Sequence, residues 1–88
     1  MRILKLDGYR DQYAAMFGKN IEADMVHHIY PADEYPEWAY CTWNLISINK
    51  AITHNKLENR KTGKLTKAGL QLQNMIKPFS DWRNNRED

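Results

Sequence analysis

Apolar residues along this chain fall into two kinds of pattern, helical spacing near the ends and a strand-like run in the middle. Tyr9, Tyr13, Met16 and Phe17 recur at i, i+4, i+7 and i+8, which predicts a helix. Asp7 is positioned to cap it, and Gly18 to end it in the left-handed conformation glycine tolerates. Ala68, Leu72, Met75 and Ile76 form a second stripe, predicting a C-terminal helix over about 66–77, capped by Thr66 and closed before Pro78. Between these, the residues from Met25 to Ile29 read as a β-like run that gives way to a turn at Pro31, while Ile3-Leu4-Lys5-Leu6 reads as a short strand or arm. Asn49 or Ser47 can cap a helix from about Lys50 to Asn59, which Gly63 interrupts. Residues 80–88 are polar and are expected to fray.

At 88 residues the chain is expected to be one domain, and a domain of this size buries only about 60% of its unfolded surface. Additional stabilisation has to come from a bound metal, a partner chain, or a core built on Tyr9, Tyr13, Phe17, Trp38, Trp43 and Phe79. Cys41 is the only cysteine, so disulfides and a four-cysteine zinc site are excluded, and the residue reads as a buried small hydrophobe. The loop from Pro31 to Thr42 mixes two prolines and three acids with three aromatics, of which Trp38 and Tyr40 are expected to fold back over the core. No apolar run approaches the roughly 20 residues of a membrane span. The first seven residues are too short and too charged for a signal peptide, and a cytoplasmic protein is expected.

The net charge of +2 conceals an uneven distribution. Residues 1–49 carry four Lys or Arg against seven Asp or Glu, whereas 50–67 carry Lys50, Lys56, Arg60, Lys61, Lys64 and Lys67 against Glu58 alone. A basic cluster of this kind suits a polyanion, because phosphate neutralisation with counterion release supplies most non-specific DNA affinity. It is also what an ordinary solvated helix face looks like.

All three histidines fall in the middle of the chain, His27 and His28 adjacent and His54 further on. Neutral imidazole can ligate a metal or accept a proton. Adjacent residues on an extended segment point to opposite faces, so one of the pair can hold a metal while the other acts as a base. On a helix His54 and Glu58, at i and i+4, share a face, which makes Glu58 either a further ligand or the partner of a neighbouring lysine.

The order His27-His28, then Asn44-Leu45, then His54-Asn55 resembles the HNH family of ββα-metal endonucleases, over about Asp24 to Asn55. The segment from Asn59 to Thr66 resembles the tail that follows in small phage-type members. The resemblance implies an α+β fold: a ββα-metal finger over about 23–60, with strands at 23–30 and 43–48 and a metal-binding helix, flanked by N- and C-terminal helices. It further implies that His28 is the general base, that His27 and His54 hold one divalent ion, and that Asn44 bridges the loop between the strands and so orients the base. Glu58 stands where many relatives have another histidine, and a carboxylate there favours Mg²⁺ or Mn²⁺ over Zn²⁺ or Ni²⁺. In zinc-knuckle members cysteines fall near positions held here by Ala14, Phe17, Asn49 and Ile52, so apolar packing is expected in their place. The spacing also departs from the family. The helical histidine commonly follows the Asn by nine residues, but His54 follows Asn44 by ten. Unless the extra residue is absorbed before the helix, Thr53 takes the ligand position.

The function expected from these features is a metal-dependent DNA endonuclease or nickase that leaves 5′-phosphate and 3′-hydroxyl ends, with Lys50, Lys56, Arg60, Lys61 and Lys64 as DNA contacts. A homodimer or a phage packaging (terminase) partner is compatible with so small a chain. The alternative is a non-catalytic DNA-binding or packaging-partner module on the same fold. A purely structural zinc module fits least well, since closed sites want four protein ligands.

Overall fold

Two short strands and the helices that pack on them account for the computed structural model, which describes residues 2–84. Strands β1 (Met25–His28) and β2 (Leu45–Ile48) pair antiparallel, with Met25 opposite Ile48 and His28 opposite Leu45. This is an α+β arrangement. Both strands are shorter than the sequence predicts. Single backbone bonds continue the ladder, from Asp24 N to Ile48 O at 3.0 Å and from Ile29 N to Asn44 O at 2.9 Å. Trp43 and Asn44 themselves lie in a 3₁₀ turn, Thr42–Asn44.

The predicted N-terminal strand or arm is instead a helix, α1 (Arg2–Leu6). It lies against the sheet through buried Ile3, and its Ile3 carbonyl accepts the Ser47 hydroxyl at 3.3 Å. A four-residue apolar run does not distinguish helix from strand, and here the contact with β2 decides it. Helix α2 (Gln12–Met16) starts later than its periodicity suggests, because Tyr9 has φ +57° and cannot be helical. Its cap is Asp11, not Asp7: Ala14 N donates to Asp11 Oδ1 at 2.8 Å. Gly18 follows the helix with φ +75°, as expected.

Asn49 caps the next segment, accepting from Ile52 N at 2.9 Å, while Ser47 is occupied with α1. That segment is a π-helical turn, Lys50–His54, running into a short helix α3 (Asn55–Leu57). The predicted helix to Asn59 stops there, since Glu58 is extended and pairs with Leu65 in an isolated antiparallel bridge. Helix α4 (Lys67–Met75) is capped by Thr66, whose hydroxyl accepts from Gly69 N at 3.1 Å. Gly69 is where α4 crosses α3, and a Cβ there would lie 2.3 Å from the Leu57 carbonyl oxygen. Leu72 and Ile76 of the predicted stripe are buried, but Met75 is exposed.

The core joins Ile29, Tyr30, Ile46, Ile48, Leu57, Leu72, Ile76 and Trp82. Tyr35, Trp38 and Trp43 pack beside it around Tyr30, with Tyr35 and Trp38 stacked at 4.9 Å. Tyr13 packs against the core, but Tyr9, Phe17 and Phe79 of the predicted core are exposed. Tyr40 does not fold back at all; it is 95% exposed. Cys41 is only half-buried.

The predicted frayed tail is ordered as far as it is described. Trp82 is buried and donates its indole N–H to Trp43 O at 2.9 Å. Arg83 pairs with the buried Asp7 carboxylate at 2.7 and 3.0 Å and donates to Thr42 O at 2.8 Å. Residues 85–88 of that prediction lie outside the described residues. No helix among the described residues is long and apolar enough to cross a membrane.

Candidate metal centre

His27, His54 and Glu58 converge, each offering a ligand atom within 4.8 Å of the others. His27 comes from the middle of β1, opposite Ile46, and is 4% exposed. Its Nε2 is buried and has no hydrogen-bond partner, an arrangement that costs about 1–3 kcal/mol unless something binds there. Burial holds its pKa down to about 4, helped by repulsion from His54 and then His28, so the ring is neutral at pH 7 with a lone pair to give. His54 lies with its ring centroid 6.0 Å from that of His27, and its Nε2 is 3.2 Å from Glu58 Oε2. Two neutral imidazoles with a carboxylate form a donor set for a divalent ion, and three protein ligands leave coordination positions open. The orphaned Nε2 and the half-buried carboxylate both fit such an ion. Glu58 caps the C-terminal end of α3 with its N–H on the His54 carbonyl at 3.0 Å, so the two side chains meet one turn apart, as the i, i+4 spacing predicts.

A π turn, Lys50–His54, lies between Asn44 and Glu58 and carries His54. Asn49 O accepts from Thr53 N at 2.9 Å and also from His54 N at 3.1 Å, five residues on. One widened turn inserts a residue into a helix without breaking it. Thr53 is thereby turned inward, 2% exposed, and donates its hydroxyl to Asp11 Oδ2. Asp11 Oδ2 also accepts from Asn49 N at 2.8 Å. The same carboxylate thus caps α2 and holds the first turn of the segment that carries His54. This corrects the apolar packing expected in place of a zinc knuckle: Phe17 and Ile52 are exposed, and a buried carboxylate ties those neighbourhoods together. Asp11 went unnoticed in the sequence because the aromatic periodicity set the helix start at Tyr9. An Asp directly before Gln12 was the available signal.

His28 Nε2 lies 2.9 Å from Ala39 O. A carbonyl only accepts, so Nε2 carries a proton and Nδ1 is the nitrogen left outside this bond. Asn44, fully buried, accepts from Tyr30 N at 2.7 Å and donates to Tyr30 O at 3.0 Å and Trp38 O at 3.1 Å. It therefore bridges both ends of the loop that presents Ala39 to His28. Although neighbours on a strand alternate faces, His27 and His28 both border one cavity of about 300 Å³, together with His54, Glu58 and Asp33. Asp33 is a wall residue that the sequence offered only as one of three loop acids.

The five predicted DNA contacts are all exposed. Lys50 and Arg60 line a cleft with His54, Glu58 and Asp24. Lys56 lines a different cavity, beside Tyr13 and Phe17. Lys61 and Lys64 lie on the turn between Asn59 and Leu65.

Comparison with family models, curated proteins and solved structures finds no match to this chain.

Proposed function

We propose that this chain is a metal-dependent DNA endonuclease or nickase of HNH type, built on a ββα-metal finger. The observation that carries this reading is the convergence of His27, His54 and Glu58 on the cavity that His28 also borders, with His28 held in the tautomer a general base requires. His28 Nδ1 takes a proton from a water molecule, whose oxygen attacks phosphorus as the bond to the 3′-oxygen breaks, leaving 5′-phosphate and 3′-hydroxyl ends. A divalent ion, Mg²⁺ or Mn²⁺ with Zn²⁺ or Ni²⁺ as alternatives, would be held by His27, His54 and Glu58 and supply charge neutralisation at the phosphate and the departing oxygen. Asn44 keeps the loop, and through Ala39 the base, in place. Lys50 and Arg60, which line a cleft with His54 and Glu58, would receive phosphates in this reading.

A non-catalytic DNA-binding or packaging module rests on the extra residue misplacing the helical ligand. The π turn brings His54, and not Thr53, to the cluster, so that premise is not met. Incubation with supercoiled plasmid is the test. Nicking that requires added Mg²⁺, Mn²⁺, Zn²⁺ or Ni²⁺ is expected, lost in His28→Ala with metal affinity nearly unchanged and lost in His54→Ala together with metal affinity. Retardation of the plasmid without nicking under every metal would overturn the reading.

A further inference from the structure

A second groove, of about 510 Å³, is lined by residues that include Arg2, Lys5, Leu6, Tyr40, Thr42 and Leu45. Two connections join it to His28. Leu45 is His28's partner across the sheet, and Tyr40 follows Ala39, whose carbonyl holds the His28 ring. Whatever occupies this groove therefore lies beside the proposed base.

Its chemistry is specific in kind. Tyr40 is 95% exposed while the other aromatics of its loop, Tyr35 and Trp38, stack on one another. Tyr40 thus presents a ring face to water beside exposed Leu6. Arg2 and Lys5, one helical turn apart on α1, supply positive charge. None of the described residues lining the groove is acidic. Asp7, just beyond α1, is neutralised by Arg83, and Asp33 faces the other cavity. Cations beside an uncovered aromatic face are the recurring means of holding single-stranded nucleic acid, phosphates on the cations and a base on the ring. A duplex has no free base face to offer.

We infer that this groove binds the unpaired stretch of a DNA strand that runs on from the scissile phosphate, with one base stacked on Tyr40 and backbone phosphates on Arg2 and Lys5. This builds on the endonuclease reading and gives it a substrate class: gapped, flapped or otherwise partly single-stranded DNA.

The test is binding in EDTA, so that cleavage plays no part. Fluorescein-labelled single-stranded 12-mers and an intact duplex of the same sequence are titrated by anisotropy. Tyr40→Ala should bind the single strand about tenfold more weakly, the loss of one stacked base, while its duplex affinity holds. Tyr40→Phe should restore single-strand binding. Arg2→Gln with Lys5→Gln should lower the slope of log affinity against log salt by roughly 0.7 per lost contact. Unchanged single-strand affinity in Tyr40→Ala would overturn the proposal. So would a Tyr40→Phe as weak as the alanine variant, or a wild-type chain that binds no single strand. Failure here is separable from failure of the endonuclease reading: a chain that stacks DNA on Tyr40 but never nicks keeps the groove, and one that nicks with Tyr40→Ala unaltered loses only the groove.

Discussion

Asp11 accepts the Thr53 hydroxyl on the same carboxylate oxygen that accepts Asn49 N, so the π turn delivering His54 is tied to the N-terminal helices across 42 residues of chain. The tie selects which residue of the Thr53-His54 pair faces inward. Asp11→Asn keeps the shape but turns an N–H₂ toward donors that need an acceptor. It should destabilise the fold by roughly 2–3 kcal/mol and weaken metal binding further than the stability loss alone implies. Thermal denaturation and calorimetric metal titration read the two effects separately. Metal affinity unchanged in a folded Asp11→Asn protein would show that the turn holds itself.

His27 makes the metal-free protein sensitive to acid. Its folded pKa of about 4 lies below the ordinary 6.5, so between those values the unfolded chain binds more protons than the folded one. The native state is therefore fully favoured above pH 6.5 and loses stability as pH falls toward 4, where the loss levels off. The total is on the order of 3 kcal/mol at about 1.4 kcal/mol per pH unit. Urea midpoints measured from pH 8 to pH 4 should show this decline, and His27→Gln should flatten it. An equally steep decline in His27→Gln would place the titration elsewhere.

Asn44→Asp retains the acceptor for Tyr30 N but loses both donors and sets a carboxylate against the Tyr30 and Trp38 carbonyls. A stability loss of roughly 2–4 kcal/mol is expected. Nicking should fall on the order of 10²-fold, the lower end of what a general base contributes, with metal affinity kept within a few-fold. In the proposed mechanism Asn44 acts on His28 through the loop, so Asn44→Asp should add little to His28→Ala in a double-mutant cycle. Full additivity would mean that Asn44 works independently of His28.

Lys50 and Arg60 share the cleft with His54 and Glu58, whereas Lys56 does not. Replacing Lys50 and Arg60 with Gln should lower the salt slope of duplex binding by roughly 0.9 for each, and Lys56→Gln should leave it unmoved. A Lys56 effect equal to that of Arg60 would show that DNA crosses the other face of the segment.

Much of this protein follows from short-range pattern. Thr66 and Asn49 cap where a side-chain oxygen precedes a helix by the right interval, Gly18 ends α2, and Leu72 and Ile76 face inward by helical spacing. His27 and His28 are neighbours on β1, and His54 and Glu58 lie one turn apart. These are contacts within a turn, or alternations along a strand, and local periodicity encodes them directly. Tertiary structure decided the rest. Whether Ile3-Leu4-Lys5-Leu6 coils or extends depends on β2, and the Asp7–Arg83 pair that orders the tail spans 76 positions. The π turn is the sharpest case. A carboxylate from the other end of the chain, buried where it accepts from Asn49 and Thr53 together, holds the wider turn in place. Such pairings depend on desolvation and on which chain segments meet, and neither has a period along the sequence.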